Sequence, residues 1–172
     1  SAGILQIGNG TLSGTLANTG AIQVTSGTLA INQANFGEFT NDVVLGDEGI
    51  LASGGANFNV ISGNITGSGG VLHATSGTTV LTGINTYSGD TVVTDGILAA
   101  INAGSASANS NHIVDAQFHL HADQEIGSLA GSGTIGIAPG VTLTTGALQD
   151  SEFSGSIQAG PGGPVIQIGF SR

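Results

Sequence analysis

Ile61–Ala100 reads ISGNITGSGGVLHATSGTTVLTGINTYSGDTVVTDGILAA, and its rhythm decides the fold. Thr78-Thr79-Val80-Leu81-Thr82 carries the period-two pattern of a short strand and stops at Gly83. Gly67-Ser68-Gly69-Gly70 and Asn85-Thr86-Tyr87-Ser88-Gly89 are rich in the residues that close tight turns. Two Gly-apolar-Leu marks, Gly70-Val71-Leu72 and Gly96-Ile97-Leu98, lie within the stretch.

The same mark recurs outside it, at Gly3-Ile4-Leu5, Gly27-Thr28-Leu29 (Thr in the middle place), Gly49-Ile50-Leu51 and Gly146-Ala147-Leu148. Successive marks start 24, 22, 21, 26 and 50 residues apart, the last gap spanning two periods. Phe118-His119-Leu120 fills the missing place, and Pro164-Val165-Ile166 makes an eighth. A repeat of this length is one coil of a solenoid and is too short for a propeller blade.

Ile4-Leu5-Gln6-Ile7 and Ala21-Ile22-Gln23-Val24 also alternate, while the Ala-rich stretch Ala99–Ala108 is broken by Gly104, so little helix is expected. A single coil cannot bury its own apolar side. Stacked coils share a core and satisfy their backbone groups through parallel ladders. The predicted fold is all-β, a right-handed parallel β-helix of about seven or eight coils, with Leu5, Leu29, Leu51, Leu72 and Leu98 in line inside it. Residues 1–172 are read as a single β-helix segment of a longer chain. No capping helix is expected at either end, which leaves open strand edges that join further coils or pair with other molecules.

Composition narrows the function classes. With 39% hydrophobic residues and a mean hydropathy of +0.31 the chain can build a core. Eleven carboxylates against one Arg give a formal net charge of −10, which argues against nucleic acid or an anionic membrane as partner. The absence of Cys removes disulfides and thiolate metal sites. No apolar run is long enough for a membrane span, and Ser1-Ala2-Gly3 does not open a signal peptide, so any export signal is expected outside this segment.

Ile61–Ala100 closely resembles the passenger-associated transport repeat, an autotransporter-associated β-strand repeat of bacterial autotransporter passengers. The resemblance rests on the Gly-rich turn Gly67–Gly70, the strand ending Thr82-Gly83, the Asn85-Thr86-Tyr87-Ser88-Gly89 turn and the closing Gly96-Ile97-Leu98; Asp90 stands where a small residue is expected. A weaker copy, Ile126–Gly146, lacks the Asn-Thr-Tyr element, and Gly3–Leu29 and Phe153–Gly169 look like degenerate copies. The resemblance implies a secreted passenger on the extracellular side of the outer membrane, carried there by a C-terminal β-barrel in the parent chain. It also implies a part in passenger folding during export.

Catalysis and metal binding each require particular side chains. Pectin-cleaving lyases of similar fold need a basic residue beside calcium-binding carboxylates, and the one basic side chain other than His is Arg172. Hydrolases need paired carboxylates. The candidates are Asp47/Glu48, which alternation would send to opposite faces, and the i, i+2 pairs Asp123/Glu125 and Asp150/Glu152, read as solvated outer residues.

His119, His121, Asp123 and Glu125 are expected on one strand face opposite inward Phe118, Leu120 and Ala122, which makes His119, His121 and Asp123 the candidate metal ligands, although the preferred reading is no metal and no cofactor. His73 and His112 are read as surface residues and Tyr87 as packing on a coil surface. Gly67–Gly70 and Gly131-Ser132-Gly133 are read as positive-φ turns rather than phosphate loops, since no Gly-Lys-Ser/Thr follows.

The expected function is a structural and adhesive one: a non-enzymatic stalk segment that contacts a host surface or matrix ligand, or the same protein on a neighbouring cell. Self-assembly into a fibre through the open ends is the alternative. Ice binding is a lesser reading, because the 18 Thr do not form a regular Thr-x-Thr array, and a polysaccharide-acting enzyme ranks last.

Overall fold

The structure is a computed structural model and describes residues 3–11, 20–146, 148–163 and 165–168. Arg172, Ala147 and Pro164 of the repeat and catalytic readings, and the terminal Gly169 of the last degenerate copy, lie outside the described residues.

The first strands are β1 (Ile4–Ile7), β2 (Ile22–Ile31), β3 (Gly37–Phe39), β4 (Val43–Ser53), β5 (Phe58–Ile61) and β6 (Ile65–Gly67). Next come β7 (Gly70–Leu81), β8 (Thr91–Ala100), β9 (Asn111–Val114), β10 (Gln117–Leu120) and β11 (Gln124–Glu125). The last are β12 (Ser128–Ala130), β13 (Thr134–Ile137), β14 (Thr142–Thr145), β15 (Ser156–Ala159) and β16 (Val165–Ile168). Among the described residues there is no helix, and strand pairing is parallel throughout. Each coil lies on the one before it, so the chain is a β-solenoid of about seven turns. The spine of stacked strands runs β1-β2-β4-β7-β8-β10-β13-β15, and β11-β14-β16 form a second sheet.

Alternation along the strands sends every second side chain inward. One interior column runs Leu5, Leu29, Leu51, Val71, Thr91, His112 and Leu129. Another runs Phe39, Ile61, Leu81, Ala100, Leu120, Ile137 and Ala159. The expected single line of leucines therefore breaks after Leu51. Gly69, not Gly70, stands over Gly49, where a Cβ would come within 2.1 Å of the Gly49 carbonyl oxygen. This one-residue offset turns Val71 inward and Leu72 outward. Gly96 sits over Gly77, at the second bend of its coil, and this places Leu98 between Thr79 and Phe118 in a different column.

Leu29, Leu51, Ile61, Leu81, Leu98, Phe118 and Leu120 are fully buried, each worth roughly 1.5–3 kcal/mol relative to exposure. The column ends differ: Leu5 is 58% exposed and Ile166, stacked on Leu143, is 38% exposed, because no further coil covers either among the described residues.

Candidate functional site

Asn85-Thr86-Tyr87-Ser88-Gly89 forms a corner that ties three coils together. The Asn85 Oδ1 accepts from the Ile65 amide at 2.8 Å, and its Nδ2 donates to the Ser105 carbonyl at 2.6 Å. The Ser88 and Gly89 amides donate to the Gly67 and Gly69 carbonyls at 2.9 and 3.1 Å. The Thr86 carbonyl accepts from Asn109 Nδ2 at 3.2 Å. Gly96 and Leu98 close the same coil one bend later, as described above. Backbone bonds and side-chain amides share the corner, and Asn85 satisfies one amide of the coil below and one carbonyl of the coil above inside a buried turn.

Tyr87 is not on a coil surface. It is fully buried, its hydroxyl 2.6 Å from Thr91 Oγ1, which in turn lies 2.8 Å from Ser110 Oγ. Burial pushes its phenol up to about 12, against the opposing pull of those two hydroxyls. His73 and His112 are likewise interior rather than surface residues. His73 hydrogen bonds through Nδ1 with Ser53, and its Nε2 is buried without a hydrogen-bond partner. His112 Nδ1 lies 3.1 Å from the Ser110 carbonyl, and the ring stacks on Phe118 with centroids 5.3 Å apart.

Desolvation lowers both histidines, His112 to about 4, although the Ser110 contact and the charge of Asp90 pull it upward. The placement of His73 follows from the register offset: once Val71 is turned inward, His73 two residues on is inward too, and His112 stands over Thr91 in the column of Leu51.

The segment read as a single strand face does not stay one. β10 ends at Leu120, the chain bends through His121 and Ala122, and β11 begins at Gln124 on the other sheet. His119 and His121 remain near enough that the His121 charge, after desolvation, helps lower His119. Asp123 is engaged elsewhere, accepting from the Thr142 amide at 2.7 Å. Among the described residues no three His, Cys, Asp or Glu side chains gather as a metal-binding group. The bend is the physical reason: a solenoid corner separates residues that an uninterrupted strand would align.

Asp47 and Glu48 do not face opposite ways either. Both are exposed, because β4 inserts an extra residue opposite β2 between Leu45 and Glu48, and the bulge interrupts alternation. Some of the other carboxylates bridge coils: Asp42 accepts from the Asn64 amide at 2.8 Å and Asp115 from the Ser132 amide at 3.0 Å. Asp150 and Glu152 are exposed. Gly67 and Gly131 have positive φ as expected of turns, whereas Gly69 and Gly133 do not and are held by close backbone approach.

Concave features lie along the outside of the coils and at their ends, and two of them touch residues already described. One, of 650 Å³, is polar and lies between the Asn85 corner and Asp123, Glu125, Thr142 and Thr144. The other, of 310 Å³, lies against β4, β7 and β8 and is lined by Ile50, Leu72 and Val92 as well as by Asp47, Glu48 and Asp90. The chain matches no family model, and no curated protein or solved structure shows significant similarity to it. The class the fold defines is a parallel β-solenoid.

Proposed function

We propose that this chain is a structural and adhesive segment of a longer extracellular β-solenoid, a passenger stalk of the autotransporter type whose parent carries an outer-membrane β-barrel. The observation that carries the reading is the uninterrupted stack of parallel coils, β1-β2-β4-β7-β8-β10-β13-β15, around shared buried columns. The likeness of Ile61–Ala100 to the passenger-associated repeat supports the same placement.

The absence of Cys suits a chain that crosses a membrane unfolded, and coils that contact only their neighbours allow folding to advance one unit at a time. The role is read as structural rather than catalytic, since Asp47 and Asp123 hydrogen bond to neighbouring coils.

The test is to place the chain upstream of an autotransporter β-barrel in a Gram-negative host and follow it with external protease. Surface exposure of a protease-resistant chain is the expected result. Retention in the periplasm would overturn the stalk reading. The second reading is a fibre built by end-to-end stacking of copies through parallel strand edges, which concentration-dependent light scattering of the isolated chain would expose.

A further inference from the structure

Exposed faces of sheets alternate towards polar residues, and one outer face of this solenoid does not. The register stacks Ala30, Ala52, Leu72, Val92, Ile113 and Ala130 on one another. All six are partly exposed and flanked in sequence by inward residues, so they form an apolar ridge across six turns.

The adjoining column carries Thr28, Ile50 and Gly70, with Ile50 37% exposed. Gly70 has no side chain, and a Cβ there would lie 2.6 Å from the Asp90 carbonyl oxygen. The column is thus interrupted at Gly70, which opens the 310 Å³ groove with Ile50, Leu72 and Val92 as its apolar walls.

Its rim is charged. Asp47, Glu48 and Asp90 are all exposed and all line the groove. Asp47 accepts from the Ser68 hydroxyl, and Asp90 from Asn111 Nδ2 at 3.1 Å. These partners are neutral, and the sequence has no Lys and a single Arg, so the negative charge of the rim is not compensated within the chain.

We propose that this groove docks an extended, basic segment of a partner protein. An aliphatic side chain of the partner sits over Gly70 against Ile50, Leu72 and Val92, while the Lys or Arg residues on either side of it meet Asp47, Glu48 and Asp90. Apolar walls supply the affinity and the carboxylates the selection of partner. A second copy of this chain is disfavoured as occupant, because a net charge of −10 would bring like charges to the same rim. The inference rests on the adhesive part of the reading above and gives that adhesion a partner. Failure of surface display would sink the stalk while leaving groove binding intact, and the converse also holds.

The test titrates the full chain with a fluorescent synthetic peptide of alternating Lys and Leu, read by anisotropy, beside the same peptide with Glu replacing Lys. Saturable binding of the Lys peptide alone is expected. I50S/L72S, which leaves the charge unchanged, should weaken it by about tenfold or more. D47N/E48Q/D90N should do the same, whereas the charge-matched control E125Q/D150N/E152Q should change it by less than about threefold.

Absence of saturable binding, or equal binding of the Glu peptide, would overturn the proposal. So would unchanged affinity in I50S/L72S, equal losses in the two triple variants, or a wild-type dimer in sedimentation that I50S/L72S dissociates. If I50S/L72S does not fold, the pair of triple variants still decides.

Discussion

His73 stands directly over Ser53 inside the solenoid, and the two side chains share a hydrogen bond. In the same column Ile7 and Ile31 lie below and Val93 and Val114 above. A polar pair in such a position is held by its own bond and by burial of everything around it. Desolvation favours the neutral His73 ring, against the upward pull of the Gly77 backbone and of the charge on Asp95.

That preference makes the protein acid-sensitive. His112 falls from 6.5 in the unfolded chain to about 4 when folded, mainly through desolvation, and His73 shifts the same way. The unfolded state binds these protons first, so the contribution is complete above pH ~6.5 and is lost as pH falls towards 4. For His112 it amounts to about 3 kcal/mol. Urea midpoints measured across this range should fall steeply for the wild type and less steeply for His112→Leu. An unchanged slope in that variant would refute the assignment.

Tyr87→Phe removes one hydroxyl from a buried chain of three, Tyr87, Thr91 and Ser110. A loss of about 1–2 kcal/mol is expected. Tyr87→Ala also empties a fully buried site and should cost about 3–5 kcal/mol. Denaturant unfolding of both variants checks the order.

Asn85→Ala leaves the Ile65 amide and the Ser105 carbonyl without their partner inside the stack. The expected cost is about 2–4 kcal/mol, summing two unsatisfied groups. Asn85→Asp keeps the acceptor for Ile65 but turns a donor into a negative oxygen facing the Ser105 carbonyl, and it should be at least as damaging. Amide exchange at Ile65 offers a local readout: its protection should drop in Asn85→Ala more than that of amides in β13.

Two glycines separate steric from conformational causes. A Cβ on Gly63 would come within 1.9 Å of the Asn41 carbonyl oxygen, so Gly63→Ala must push two coils apart and should cost more than ~3 kcal/mol. Gly140 has φ +74 and nothing within 4 Å of such a Cβ, so Gly140→Ala should cost only about 1–2 kcal/mol of backbone strain. Equal thermal shifts in the two variants would contradict this account.

Local pattern and composition carried the architecture. Period-two runs, Gly and Asn at the breaks and a repeat of near-constant length stack as coils. The phase of alternation even held the interior placement of Ser53, two residues beyond Leu51, but not that of His73, which follows from the offset that turns Leu72 outward.

Register and bends lay beyond it. Whether Gly69 or Gly70 sits on Gly49 is a matter of which backbone can approach which carbonyl, and that offset of one residue sends Leu72 to the outer ridge and opens the groove over Gly70. The bend after Leu120 and the bulge at Asp47 likewise arise from fitting each coil to the one beneath, so which carboxylates and histidines meet was decided only by the stack.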